Sequence, residues 1–326
     1  MDDLLLGVFR RMLRVKDKIS PSRGEAREEF GALLELTNPR ARLSRTESRQ
    51  QTLFSCLGEL LWYLAKSNEL DFINYYVPHY RKESTDDETV RSAYGPRLFN
   101  NHGINQIENA LTLLRAGHDS RRAAVQLFEA YDTDPRNHES PCTCTLQFVL
   151  RKKRLHLLTF MRSNDVFLGL PHDVFAFTML QEIVASHLSV EPGSYKHAVG
   201  SLHLYDEHRK LAKEYIAEKY QPTTDAMPPM PLGDPWPAIR LVLRAERDIR
   251  GGQTVNPSQL QLDPYWQDLV RLLQIFGHFS KNKKDQIPPL QKSMHSPIYD
   301  TYIQKKLESS PKAREPIAHK QLRLFD

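Results

Sequence analysis

The chain has 326 residues, of which 40% are hydrophobic and 26% charged, and its formal net charge is +5. These proportions are typical of a soluble globular protein with one large core, or one domain plus a substantial appendage. No apolar run approaches the roughly 20 residues that cross a bilayer, and the start MDDLLLGVF lacks the features of a signal peptide. The positive charge favours anionic partners, but it does not choose between nucleic acid, a nucleotide phosphate and a polyanionic cofactor.

The three cysteines, Cys56, Cys142 and Cys144, are too few and too unevenly spaced for a disulfide framework. The sequence therefore predicts a cytoplasmic protein whose thiols are either catalytic or incidental. Cys142, Cys144 and His138 lack the second pair of ligands that a structural zinc site needs. We predict no metal site.

Periodicity in the first 220 residues predicts a mixture of helices and strands. The predicted elements, in chain order, are an amphipathic helix from Asp3 to about Val15, a helix within 46–66, a helix at 104–115, a strand within 123–131, two strands within 146–163 joined by a basic turn at 151–154, and a long apolar helix at 172–189. Strands and helices in this order favour an α+β or mixed-sheet fold.

The character of the chain changes after about residue 220. Residues 222–237 are rich in proline and predict a linker or an ordered irregular loop. Helices are predicted at 236–249 and 264–280, followed by a basic, proline-broken tail that we expect to lie at the periphery. We therefore divide the chain into a catalytic core at 1–220 and a proline-rich connection with a divergent, mostly helical extension at 221–326.

Six short motifs occur in a fixed order along the core. They are Glu59-Leu-Leu-Trp62, Tyr94-Gly95, Ser120-Arg121-Arg122, Pro141-Cys142, the run from Arg162-Ser163 through Asp165, Leu168-Gly169 and Pro171 to Asp173, and His203-Leu-Tyr205. In sequence and spacing this set resembles the thymidylate synthase family. The resemblance implies an α+β fold with a large mixed sheet packed with helices, and a homodimer formed sheet to sheet. The last hundred residues do not resemble the usual family ending.

The residue types suit chemistry at C5 of a pyrimidine, which is a poor nucleophile until a thiolate adds at C6. Cys142 is the candidate nucleophile, and a nearby cation such as Arg162 would lower its pKa. Glu59, on an otherwise apolar helix face, is expected to have a raised pKa and to move protons. The resemblance adds Tyr94 to the catalytic residues.

The resemblance also assigns the two binding sites. Substrate-binding residues are Arg23, Arg121, Arg122, Arg162, Ser163, Asp173, His203 and Tyr205, with Arg121 and Arg122 donated across the dimer interface. Residues for 5,10-methylenetetrahydrofolate are Asp165, Leu168, Gly169, Tyr80 and Arg49. Guanidinium groups match phosphate oxygens, which supports the arginine assignments.

Three departures from the family pattern bear on the reaction. Asp173 stands where the family has asparagine, and a carboxylate offers only acceptors, which suits the N4 amino group and a protonated N3 of cytosine. Tyr80 and Glu83 fall nearest to a tryptophan pair that shields the methylene intermediate from water. His172 replaces phenylalanine, and we expect this polar side chain to place an attacking water.

These departures favour a pyrimidine nucleotide 5-hydroxymethylase of the deoxycytidylate or cytidylate branch, which converts dCMP to 5-hydroxymethyl-dCMP. Alternatives are hydroxymethylation of CMP, methylation of dUMP by a thymidylate synthase, and a non-catalytic paralogue that binds nucleotide or RNA. For the favoured function we expect no membrane association and no nucleic-acid partner.

Overall fold

The computed structural model describes residues 1–21, 23–46, 52–84, 86–117, 119–137, 139–218 and 225–309. The strands in this part of the chain are β1 Lys18–Ile19, β2 Ala26–Leu36, β3 Ala124–Gln126, β4 Thr143–Arg151, β5 Arg154–Asp165 and β6 Glu191–Tyr205. Its α-helices are α1 Asp2–Met12, α2 Thr52–Leu64, α3 Leu70–Tyr76, α4 Tyr94–Phe99, α5 Gln106–Ala116, α6 Gly169–His187, α7 Arg209–Ala217, α8 Trp236–Arg250, α9 Pro264–Ser280, α10 Ile287–Lys292 and α11 Asp300–Glu308. None of the helices described is long and apolar enough to span a bilayer.

The described strands form one sheet in the order β1-β2-β6-β5-β4-β3. Neighbouring strands are antiparallel except β5 and β6, which are parallel and are connected by α6. The sheet is therefore mixed, and the prediction of a mixed α+β fold is confirmed.

The hairpin predicted within 146–163 is present as β4 and β5. Leu146, Phe148 and Leu150 alternate with less buried residues, as expected for a strand with one face on the core. Lys152 and Lys153 form the turn, with φ of 48° and 58°. Positive φ at both turn residues matches the right-handed twist of the flanking strands.

Two long strands, β2 and β6, were not predicted from the sequence. In β2 the alternation of buried and exposed residues is interrupted at Gly31, where φ is 77°. In β6 the buried face carries His197 and His203 among its apolar side chains, so hydrophobic periodicity is weak. The strand predicted within 123–131 is limited to Ala124–Gln126.

The sheet has two different faces. Ala32, Leu34 and their counterparts on β4, β5 and β6 are buried against the helices, and α6 is buried over most of its surface. On the other face, Leu33, Ala198 and Phe160 lie side by side across β2, β6 and β5. Leu33 is 59% and Phe160 is 43% exposed in the single chain. This second face is an apolar surface that the described residues leave uncovered.

Residues 225–309 pack closely on the core. Residues 225–235 are an ordered irregular segment, in which the amides of Met227 and Met230 donate to the Arg40 carbonyl and to Glu182. Tyr76 of α3 donates to Glu246 of α8 at 2.9 Å. The segment that we expected at the periphery contributes buried side chains up to α11, including Tyr302. The proposed domain boundary at residue 220 remains a prediction.

Candidate active site

Cys142 is half-buried directly before β4, and two elements position its backbone. Its carbonyl accepts from the amide of Arg162 at 2.8 Å, and the next amide, of Thr143, donates to the Tyr94 hydroxyl at 3.2 Å. The Arg162 guanidinium donates to the carbonyls of Pro141 and Ser140, at 3.0 and 3.1 Å. The structure therefore holds a cation on the backbone of the segment that carries the predicted nucleophile.

The other two thiols are less suited to nucleophilic chemistry. Cys56 is buried within α2. Burial raises the pKa of the Cys144 thiol, so this side chain stays protonated near neutral pH. Among the described residues, which exclude His138, no group of three or more His, Cys, Asp or Glu side chains could hold a metal ion.

Tyr94 lies close to both Cys142 and Asp173. Burial, followed by the charges of Cys142 and Asp173, raises the pKa of Tyr94 well above its usual value. Its ring packs on Phe177 with centroids 6.1 Å apart. A neutral hydroxyl is therefore held close to both predicted catalytic groups.

Glu59 is buried on α2, and both oxygens of its carboxylate contact other side chains. Oε1 accepts from the hydroxyls of Tyr63 and Tyr80, each at 2.9 Å, and Oε2 lies 2.6 Å from Nδ1 of His172. Burial alone would raise the pKa of Glu59, but the bond and charge of His172 and the two phenols hold it below its usual value. The expected rise is wrong, because sequence reasoning saw the apolar helix face but not the three partners.

His172 is fixed on both sides of its ring. Besides Glu59, it contacts the Ser55 hydroxyl through Nε2 at 3.2 Å. Burial lowers the pKa of His172, but Cys56 and the Glu59 carboxylate outweigh it and raise the pKa well above 6.5. The site therefore contains a buried imidazolium–carboxylate pair.

Asp173 is one turn into α6, and its Oδ2 accepts from the Asn164 amide at 2.7 Å. Burial, with the charge of Glu59 as the next cause, raises the pKa of Asp173 to about 8. Gly169 leaves the space for this contact, since a Cβ there would lie 3.0 Å from Asn164 Nδ2. The carboxyl group can consequently exchange a proton near neutral pH.

Three of the predicted folate residues, Asp165, Leu168 and Gly169, lie where β5 ends and α6 begins, and Tyr80 lies in the segment after α3. Asp165 accepts from the amides of Phe167 and Leu168, at 2.9 and 3.3 Å. Leu168 is 53% exposed beside this carboxylate. Tyr80 packs edge-on against Trp62, with centroids 5.4 Å apart. Arg49 and the side chain of Glu83 lie outside the described part of the chain.

His203 and Tyr205 lie at the end of β6, next to the end of β5. Asp165 and His203 are register partners, as are Ser163 and Ser201. The rings of His203 and Tyr205 are perpendicular, 5.1 Å apart. Ser201 donates to Glu28. These residues therefore line one edge of the sheet together with the folate loop.

The remaining predicted phosphate ligands are exposed. Arg121 and Arg122 precede β3, and the Arg121 carbonyl accepts from the Gln147 side chain at 3.0 Å. Gln147 is four residues along β4 from Thr143, so this contact is displaced from the start of the strand. Arg23 is exposed in the segment before β2. The single chain therefore unites Cys142, Arg162, Tyr94, Glu59, His172 and Asp173, whereas Arg121 and Arg122 lie apart from them.

Sequence reasoning missed the side chains that support these groups: Ser55, Tyr63, Asn164, Tyr195 and His197. Polar residues at two alternate positions on the buried face of β6, Tyr195 and His197, are a signal that could have been noticed. Their partners come from distant parts of the sequence, and only the fold identifies them.

Fold and site together define a candidate thiol-dependent enzyme built on a mixed sheet. A profile of the family described as thymidylate synthase matches residues 25–234. Thymidylate synthases of Buchnera aphidicola subsp. Acyrthosiphon pisum (strain APS) and subsp. Schizaphis graminum (strain Sg) are 30% and 29% identical over 168 residues. Each alignment spans 50% of this chain and 63% of the relative, which is less than two thirds of its length. The profile covers most of the chain, and the chain belongs to the thymidylate synthase family.

Proposed function

We propose that this protein is a dCMP 5-hydroxymethylase that uses 5,10-methylenetetrahydrofolate and water. The observation that carries the proposal is the half-buried Asp173 carboxyl group, which accepts from Asn164 and acts with Cys142 on Tyr94. Uracil presents a carbonyl oxygen and an N3–H group, which together require one donor and one acceptor. Cytosine protonated at N3 presents two donors, and a carboxylate satisfies both.

The first chemical step uses Cys142 and Asp173 together. As the thiolate forms its bond to C6, the C5–C6 π electrons move towards C4 and the C4–N3 π electrons move onto N3. A proton on N3 neutralises that charge, and C5 becomes an enamine carbon. Because the pKa of Asp173 is raised to about 8, its carboxyl group arrives with a proton at neutral pH and can supply it.

The family membership implies a reduced folate, and the described residues fit one. Leu168 offers an exposed apolar side chain, and Asp165 retains lone pairs beyond the two used by backbone amides, so it can accept from pterin N–H groups. We propose that these two residues hold the folate with Gly169 and Tyr80. The folate would supply C5 with one carbon at the oxidation level of formaldehyde and would leave as tetrahydrofolate, and C5 would lose its proton.

We propose that the Glu59–His172 pair directs water to the methylene group formed on C5. The ionised carboxylate accepts from water, and the imidazolium keeps it ionised although it is buried. Tyr80 donates to this carboxylate, so the position nearest the expected tryptophan pair is polar. Water would then be captured to give hydroxymethyl-dCMP, and the thiolate would leave C6.

Replacing His172 by phenylalanine tests this role. Without the imidazolium, burial dominates, the pKa of Glu59 rises, and the neutral acid no longer activates water. We expect formation of hydroxymethyl-dCMP to fall by about tenfold or more, the order of one acid–base contribution, while release of tritium from C5 of labelled dCMP falls less. His187→Phe is the matched control, since His187 contacts Asp234 at the other end of α6. Equal losses of both rates would argue against the role in water capture.

The absorbance of the folate product tests the overall reaction. A synthase oxidises the folate to dihydrofolate and raises the absorbance, whereas a hydroxymethylase releases tetrahydrofolate without that rise. We expect dCMP consumption with no dihydrofolate. Dihydrofolate formed in step with dUMP consumption would overturn the proposal.

We also propose a homodimer formed through the open face of the sheet. Leu33, Ala198 and Phe160 form an apolar row across this face, and Leu33 and Phe160 are 59% and 43% exposed. An apolar face of this kind marks an interaction surface. The Arg121 carbonyl accepts from Gln147, and this contact supports the proposal that a second copy docked on the face would receive the arginine.

Subunit complementation tests this assembly. Chains carrying Cys142→Ala and chains carrying Arg121→Ala should each be nearly inactive alone. Co-expressed in equal amounts, they should recover about a quarter of native activity, because half of the dimers are mixed and each mixed dimer has one intact site. Cys142→Ala paired with Arg162→Ala should give no recovery, because both residues belong to the same site in one chain. No recovery from the first pair would contradict the shared site.

A further inference from the structure

Three buried side chains, Tyr195, His197 and Asn164, form a continuous series of hydrogen bonds that ends at the half-buried carboxyl group of Asp173, the proposed base-binding group. The Tyr195 hydroxyl lies 2.7 Å from Nδ1 of His197, and His197 Nε2 lies 3.0 Å from Oδ1 of Asn164. Asn164 Nδ2 donates to Oδ2 of Asp173 at 2.7 Å. Tyr195 and His197 are fully buried and Asn164 is 4% exposed, so the described fold leaves these groups little access to water.

The orientation of the Asn164 amide fixes which group donates and which accepts in each of these hydrogen bonds. Because the Asn164 amide nitrogen faces Asp173, its carbonyl oxygen faces His197 and can only accept. His197 must therefore carry its hydrogen on Nε2 and accept at Nδ1 from the Tyr195 hydroxyl. Burial lowers the pKa of His197 to about 3, so the imidazole is neutral at working pH and carries only that one hydrogen.

This fixed direction has a consequence for Asp173. Oδ2 accepts a hydrogen bond in the resting site, and a proton placed on Oδ2 would compete with the Asn164 donor. An oxygen that already accepts a bond is a poorer base, so protonation of Oδ2 is disfavoured. In the family the corresponding residue is an amide whose oxygen would play the same accepting part.

We propose that Tyr195, His197 and Asn164 hold Oδ2 of Asp173 as an acceptor towards N3 of a bound cytosine, so that the shared proton lies on N3 rather than on the carboxyl. The three residues are positioning residues that activate C6 without touching the base. This inference rests on the proposed function. It identifies the residues that, through Asp173, make C6 of a cytosine nucleotide reactive towards the thiolate.

We expect substitution of Asn164 to lower the rate of turnover much more than it weakens substrate binding. In Asn164→Leu, the carboxyl keeps its proton and still hydrogen-bonds to N3 of neutral cytosine. We expect kcat for dCMP to fall about tenfold to hundredfold, with KM changed by less than about threefold, since one buried charge-assisted hydrogen bond is lost. The hydrogen bond from Asn164 lowers the pKa of Asp173, so removing this donor raises that pKa. The alkaline limb of kcat/KM should therefore move to higher pH. The other titratable groups facing Asp173 are Glu59, His172, Tyr63, Tyr80, Tyr94 and Tyr195.

Two substitutions of His197 form a matched pair. His197→Phe leaves the Asn164 carbonyl without its donor, so the amide can turn and the effect should approach that of Asn164→Leu. His197→Gln restores an N–H donor at a similar reach and should retain most of kcat. Equal losses in both variants would indicate a merely structural role and would overturn the inference.

The decisive experiment is nitrogen-15 NMR of dCMP labelled at N3, bound to the Cys142→Ala protein so that no adduct forms. We expect the N3 signal of a protonated ring, and the signal of neutral cytosine when Asn164→Leu or His197→Phe is added. A protonated N3 that persists in both added variants would overturn the inference and leave the proposed function intact. Failure of the Cys142→Ala protein to bind dCMP would instead count against the proposed function.

Discussion

Cys142→Ser is expected to lose at least about a thousandfold in turnover of dCMP, the largest effect of any single substitution considered. A serine hydroxyl is not ionised near neutral pH, so no bond to C6 forms and C5 never becomes nucleophilic. The most direct measurement is exchange of tritium from C5 of labelled dCMP, which reports formation of the enamine before any carbon is transferred.

Cys144→Ser is the control for this experiment. Cys144 lies two residues further along the chain and is also half-buried. Burial raises its pKa, and we assign it no role in the reaction. We expect exchange and product formation close to native rates. Native exchange in Cys142→Ser would remove the covalent step from the proposal, whatever the product.

Asp173→Asn is expected to reverse the choice of base. The amide oxygen takes the place of Oδ2 and accepts from Asn164, and the amide nitrogen then donates to O4 of uracil. For a cytosine nucleotide the same nitrogen faces the N4 amino group, and the two donors oppose each other. An unsatisfied buried polar group costs about 1 to 3 kcal/mol. The ratio of kcat/KM for dCMP to kcat/KM for dUMP should therefore fall by about tenfold to hundredfold.

The ratio is measured with both nucleotides in one reaction, so that losses of folded protein cancel. Asp134→Asn, which removes an exposed carboxylate paired with Arg136, should leave the ratio unchanged. If Asp173→Asn lowers both activities equally, Asp173 supports the site without distinguishing the bases.

The elements that sequence reasoning found are those whose pattern is local. The β4–β5 hairpin follows from alternating apolar residues and a basic turn, and α6 follows from its long apolar run. The motif order around Cys142, Arg162 and Asp173 indicated which residues the fold brings together. The structure places Cys142 and Arg162 in backbone contact, and their roles in the reaction remain predictions.

Sequence reasoning could not predict the contacts between residues that are far apart in the chain. Glu59 and His172 are 113 residues apart and their pairing reverses the expected direction of the Glu59 pKa shift. Asn164 is not one of the predicted site residues, and its link to His197 spans 33 residues across β5 and β6. The packing of α8, α9 and α11 against α2 and α3 likewise has no signature in local periodicity.

We propose that the half-buried carboxyl group of Asp173 commits this family member to hydroxymethylation of a cytosine nucleotide. The most direct measurement is mass spectrometry of the products after incubation with 5,10-methylenetetrahydrofolate and equal amounts of dCMP, CMP, dUMP and UMP. We predict that dCMP gains one CH2O unit and that the uracil nucleotides remain unchanged. A gain of one CH2 unit on dUMP, with dCMP untouched, would contradict the account.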